Sequence, residues 1–139
     1  MLDTKITSTT AIALLITLGA SFASAETAQK LTGAELDGYL KGNTVYVDIV
    51  PGEPFGKGGL SPFFYGQDGR FAAQMPSGKI TGIWKVSDKA SYCVDIVELE
   101  KTFCTDVFRK STHIEHHSVG LKKLMGPVVR IIPGNDAKL

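Results

Sequence analysis

Two cysteines, one tryptophan and three histidines are all this chain of 139 residues has of those types, and its charges nearly cancel, 15 Lys and Arg against 14 Asp and Glu. A near-neutral balance leaves no electrostatic footprint for nucleic acid or for an anionic membrane surface. The nearest thing to a basic cluster, Lys122-Lys123, reads as a solvated turn. Two cysteines cannot make a structural zinc site, which takes four ligands. No Gly-x-Ser-x-Gly nucleophile elbow is present. Gly56-Lys57-Gly58-Gly59 lacks the Gly-Lys-Ser/Thr ending and the following helix of a phosphate loop, so it reads as a flexible loop. Asp48, Asp95 and Asp106 are scattered over separate segments, as solvated side chains are, rather than paired for acid/base work. The sequence therefore assigns no catalytic residue, no metal ligand set and no cofactor.

Long apolar runs are scarce too, with one exception at the start. Lys5 precedes an apolar stretch from Thr10 to Phe22, which exits through Ala23-Ser24-Ala25. A short cationic lead, an apolar core and a small-x-small exit make residues 1–25 a secretory signal peptide. A membrane span needs about 20 apolar residues, and this stretch is shorter and interrupted by Thr17, Gly19 and Ser21. With no cysteine at the cleavage point, the product keeps no stable membrane anchor. The expected location is periplasmic or secreted. Cleavage after Ala25 leaves 114 residues, 26–139, enough for one domain with its own core.

In an exported chain, Cys93 and Cys104 are expected to form a disulfide. If Ser91–Val97 and Lys101–Arg109 form a hairpin through Glu98 and Leu99, the two cysteines stand opposite each other, within reach of a bridge. Their face then carries Asp95, Thr102 and Asp106, and the other face carries Tyr92, Val94, Ile96, Phe103 and Val107. The bridge should accordingly lie on the outer, polar face as a clamp.

One helix is announced by the capping box Thr32-x-x-Glu35, with Leu31 and Leu36 placed for a hydrophobic staple. Leu36, Tyr39 and Leu40 line one face, and Gly42 ends the helix. The rest reads as strand and turn. Thr44–Val50, Phe63–Tyr65, Arg70–Met75 and Lys79–Ser87 are strands, with hairpin turns at Gly66-Gln67-Asp68-Gly69 and Pro76-Ser77-Gly78. The segment Pro51–Gly59, with four glycines and two prolines, is a loop. Thr112–Ser118 and Pro127–Ile132 follow as the last strands. Seven or eight short antiparallel strands and one short N-terminal helix make a mostly β domain, a sandwich or a closed barrel.

Taken together, Leu31-Thr32-Gly33-Ala34-Glu35-Leu36, Gly42-Asn43-Thr44-Val45, the Tyr65…Asp68-Gly69 hairpin, Gly82-x-Trp84, the paired cysteines and Pro133-Gly134-Asn135 resemble a family of short exported bacterial proteins of unknown function. That family has a calycin-like, that is lipocalin-like, β-barrel. The resemblance covers nearly the whole mature chain. It implies a barrel with the capped helix plugging or flanking one end, and it implies no activity. The chain departs from the pattern between Lys110 and Gly126, where a His-rich segment replaces a glycine-containing hairpin. The Gly-x-Trp motif also lies mid-chain rather than near the N-terminus as in true lipocalins, so no lipocalin chemistry is carried over.

Candidate binding residues are aromatic. Trp84, Tyr92 and Phe103 are placed to line an apolar cavity inside the barrel, although small barrels commonly fill their interior with side chains. Phe55 and Phe63 flank the glycine-rich loop at the mouth and offer a recognition surface. Arg130 is expected to stack over Trp84. His113, His116 and His117 fail as a metal site on a strand, because His113 and His117 would stand about 13 Å apart. They read as surface or partly buried side chains; a helix would let His113 and His117 chelate, but Ile114 and Val119 favour a strand. The leading functional expectation is a binding module for a small apolar ligand or for an envelope protein. The alternative is a secreted inhibitor or structural envelope protein with a filled core and an exposed loop.

Overall fold

The computed structural model describes residues 27–139; the predicted export signal, residues 1–25, lies outside the described residues. Two residues, β1 (Gln29–Lys30), lead into α1 (Gly33–Leu40). The helix starts where the capping box predicts it. Thr32 is the N-cap and accepts from the Glu35 amide, while the Glu35 carboxylate accepts from the Thr32 amide at 2.9 Å. Gly42 follows with φ +76°, the left-handed position that glycine fills without steric cost. Leu31, Leu36 and Leu40 are buried completely, so the two-turn helix is held by its apolar face rather than by intrinsic propensity.

Eight strands then run up and down: β2 (Asn43–Ile49), β3 (Gly59–Tyr65), β4 (Arg70–Met75), β5 (Gly78–Val86), β6 (Tyr92–Ile96), β7 (Lys101–Arg109), β8 (Ile114–Ser118) and β9 (Lys123–Pro133). Each pairs antiparallel with the next, and β9 pairs with β2, closing the sheet into a mostly β, eight-stranded barrel. Closure leaves no free sheet edge among β2–β9. β1 pairs with β7 beyond the end of β6, and the Leu31 amide donates to the Val107 carbonyl at 2.9 Å.

Inward positions alternate along β2–β7: Val45, Val47 and Ile49; Phe63 and Tyr65; Phe71 and Ala73; Trp84; Tyr92, Val94 and Ile96; Val107. Two glycines sit where neighbouring strands approach too closely for any side chain. A Cβ on Gly82 would fall 2.0 Å from the Asp95 carbonyl oxygen, and one on Gly126 would fall 2.0 Å from that of Asp48. Both mark bends that closure requires.

Several boundaries move from the sequence expectation. β3 begins at Gly59 rather than Phe63. Pro62 is tolerated inside it because β3 there has β2 beside it but not yet β4. β9 begins at Lys123 and carries a bulge on each flank, opposite His116/His117 and Tyr46/Val47. The second bulge has a consequence for Arg130. It sets Arg130 opposite Tyr46 on the outer face, where the guanidinium lies 4.1 Å from the Tyr46 ring centroid. The expected Arg130–Trp84 stack is thereby excluded, since Trp84 points inward.

Candidate functional site: an apolar cavity at the open end of the barrel

The two ends of the barrel differ. The connections 66–69, 87–91 and 110–113 share one end with α1, whose leucines and Tyr39 pack into the barrel there. The connections 50–58, 76–77, 97–100 and 119–122 ring the other end, and no helix of the described residues covers it. Beneath this second rim lies a cavity of about 240 Å³, just under the ~300–1,000 Å³ usual for small-molecule sites.

Its walls are almost wholly apolar. Phe63, Phe71, Met75 and Ile80 come from β3–β5, and Val94, Ile96, Phe103 and Met125 from β6, β7 and β9. Among the described residues no charged side chain lines it. The rim carries apolar side chains among charged ones: Pro54, Phe55, Leu99 and Leu121 stand over the opening, with Val97, Phe103 and Val119 also exposed, while Glu53, Lys57, Glu98 and Glu100 lie in the same loops. Phe55 is held in place from β9. Lys123 donates its ammonium to the Glu53 carbonyl and lies 5.5 Å over the Phe55 ring, and the Val50 amide donates to the Met125 carbonyl at 2.8 Å.

Of the five aromatic residues singled out from the sequence, the structure brings Phe55, Phe63, Tyr92 and Phe103 together on this cavity. Trp84 stands apart from them, toward the closed end. Its indole N–H donates to the Gly66 carbonyl at 2.8 Å and its ring meets Tyr65 edge-on at 5.6 Å. It buttresses the β3–β4 turn and is not among the lining residues.

Behind the cavity is a polar aromatic knot that the sequence reading missed. His116, expected at the surface or partly buried, is completely buried. Its Nδ1 lies 3.0 Å from the Tyr92 hydroxyl and its Nε2 lies 3.3 Å from that of Tyr39. Burial, with a smaller contribution from the charge of His117, pushes its pKa down to about 3, so the ring is neutral at physiological pH. Burial pushes Tyr92 up to about 12, against the hydroxyls of Tyr65 and Thr105. Tyr39 and Tyr65 are raised as well, also mainly by burial. The Tyr65 hydroxyl, next to Tyr92, is the one buried side-chain polar atom among the described residues that makes no well-formed hydrogen bond. The available signal for His116 was parity: Ile114, His116 and Ser118 alternate toward the interior of β8.

On the outer face of β8 the other two histidines share one carboxylate. His113 and His117 each place Nε2 2.8 Å from a different oxygen of Glu115. Burial alone would raise Glu115, but these two partners and the nearby Lys110 hold it below the usual range. Among the described residues no group of three or more His, Cys, Asp or Glu is arranged to hold a metal ion.

The disulfide geometry agrees with the sequence argument. Cys93 pairs with Cys104 across β6 and β7, with the sulfurs 2.04 Å apart. The pair lies on the outer face, since its neighbours Tyr92, Val94, Phe103 and Thr105 line the cavity. Among the described residues no helix is long and apolar enough to cross a membrane. Comparison with protein-family models, with curated proteins and with solved structures finds no match to this chain.

Proposed function

We propose that this chain is an exported, calycin-like binding protein, cleaved after Ala25, that holds a small apolar ligand inside its barrel. One observation carries the reading: an uncharged cavity at one end of the barrel, walled by Phe63, Phe71, Tyr92 and Phe103. Enclosing an apolar molecule there removes hydrocarbon from water on both sides, at roughly 25 cal/mol per Å² buried. The apolar rim residues Phe55, Leu99 and Leu121 support the same reading, because they give a poorly hydrated ligand hydrocarbon to touch at the opening. The export signal, the paired cysteines and the resemblance of the capped helix and the Gly82-x-Trp84 strand to exported calycin-like proteins support a periplasmic or secreted location.

The test is a titration with the neutral fluorescent dye N-phenyl-1-naphthylamine. Saturable enhancement at one site per chain is the expected result. Val94→Phe, which extends a ring into the cavity, should weaken dye binding at least tenfold without unfolding the barrel. Dye binding that is absent, or equal in the variant, contradicts the reading.

A second reading has a specific observation of its own. Val97, Leu99 and Leu121 are exposed around the glycine-rich 51–59 loop, as a surface that docks on an envelope protein would be. It is favoured if Leu99→Ser with Leu121→Ser abolishes a protein partner while dye binding in the cavity persists.

A further inference from the structure

The cavity has two unlike walls, and their difference narrows the ligand. The strand register sets Tyr92 of β6 directly beside Thr105 of β7, and Thr105 directly beside Ser118 of β8. All three line the cavity. A row of three hydroxyls thus crosses β6–β8 and faces an opposite wall of Phe63, Phe71, Met75 and Ile80, whose one polar lining residue is Ser77 in the β4–β5 turn.

The hydrogen-bond state of that row decides what it wants. Tyr92 is already engaged with His116. Thr105 has as acceptors the thioether of Met125 at 3.7 Å, a weak one, and the neighbouring Tyr92 hydroxyl. Ser118 accepts a long bond from the Leu121 amide at 3.3 Å, which leaves its own proton to give. Ser118 therefore has an O–H to give, and Thr105 beside it can turn its own away from a weak thioether, on a wall whose one other hydroxyl is that of Tyr92. A carboxylate would not suit this place. Among the described residues no cation lines the cavity, and a buried, unpaired charge is costly. Lys123, the cross-strand neighbour of Ser118, is turned to the Glu53 carbonyl and the Phe55 ring.

We propose that the cavity selects an apolar molecule bearing one neutral carbonyl oxygen, which accepts from Thr105 and Ser118 while the hydrocarbon body lies on the β3–β5 wall. This rests on the ligand-binding reading above and names the chemical class the site takes.

The experiment displaces bound N-phenyl-1-naphthylamine with a linear alkane, a methyl ketone and a carboxylate of equal chain length, each corrected for its own partition from water. The ketone should displace the dye at a concentration about three- to tenfold lower than the alkane, the worth of a net hydrogen bond, and lower than the carboxylate. In Thr105→Val with Ser118→Ala that advantage should vanish while the alkane is unaffected. Ser118→Ala alone, at a partly exposed position, applies the same test if the double variant melts early. Equal displacement by ketone and alkane in the unaltered protein overturns the proposal, as does a preference for the carboxylate or an advantage that survives in the variants. Failure of the dye to bind at all is a different result, since it removes the ligand-cavity reading itself.

Discussion

His116 shows how a single side chain depends on partners far away in sequence. Its two ring nitrogens meet Tyr39 of α1 and Tyr92 of β6, which lie 77 and 24 residues away, and the ring of Phe63 stands 6.5 Å from its own. Nothing in the string Thr112-His113-Ile114-Glu115-His116-His117 announces those neighbours, so the residue reads as a surface histidine until the barrel closes around it. The inward parity of position 116 was legible; the tyrosine shell that makes a buried imidazole tolerable was not. The consequence is a pH dependence with a definite sign. The folded pKa of about 3 lies below the ordinary 6.5, so between those values the unfolded chain binds a proton that the folded chain refuses. Stability from this residue is complete above about pH 6.5 and is lost as pH falls toward 3, at up to about 1.4 kcal/mol per unit. Glu115 acts in a lower window: its depressed pKa contributes stability above the ordinary 4.5, lost as pH falls below it. Urea midpoints compared at pH 7 and pH 5 should therefore fall clearly for the native sequence and much less for His116→Gln. Equal falls would show that His116 is not held neutral.

Elements were legible where their determinants are local. The capping box of α1, the Gly66–Gly69 turn and the β6–β7 register all follow from residues within a few positions of one another, and each forms as read. Elements whose limits depend on a distant strand were read less well. β3 starts at Gly59, four residues before the expected Phe63, because β2 supplies its partner, and β9 is displaced by two bulges that only barrel closure imposes. The same distinction explains the aromatic residues. Tyr92 and Phe103 were placed correctly by hairpin parity. Trp84, inward by the same parity, lies at the other level of the barrel, which parity does not report. The disulfide is a feature of the β6–β7 hairpin alone, closing a separation of 11 residues on its outer face. Cys93→Ala with Cys104→Ala should lower unfolding free energy by about 3 kcal/mol and leave dye binding within the barrel intact. Unchanged stability, or loss of dye binding with the fold retained, would show that the bridge does something other than clamp the hairpin.

At the scale of the whole molecule, fold class follows from alternation and turn spacing, whereas the cavity follows from the ends. α1 and the Leu31 before it close one end with Leu31, Leu36 and Leu40, and among the described residues the opposite rim of Phe55, Leu99 and Leu121 has no such plug. A sequence that alternates correctly is compatible with a filled or a hollow barrel, since the volume left inside depends on how eight strands of unequal length tilt and bend at Gly82 and Gly126. The central claim is that this hollow end holds a ligand in an exported protein. It is tested most directly by native mass spectrometry of the protein expressed from the full chain and recovered from an oxidising periplasm. The account predicts a 114-residue species two hydrogens below its reduced mass, carrying a fixed small-molecule mass that disappears on denaturation. A species that retains residues 1–25, or one that carries no added mass and takes up no apolar ligand when offered, would contradict it.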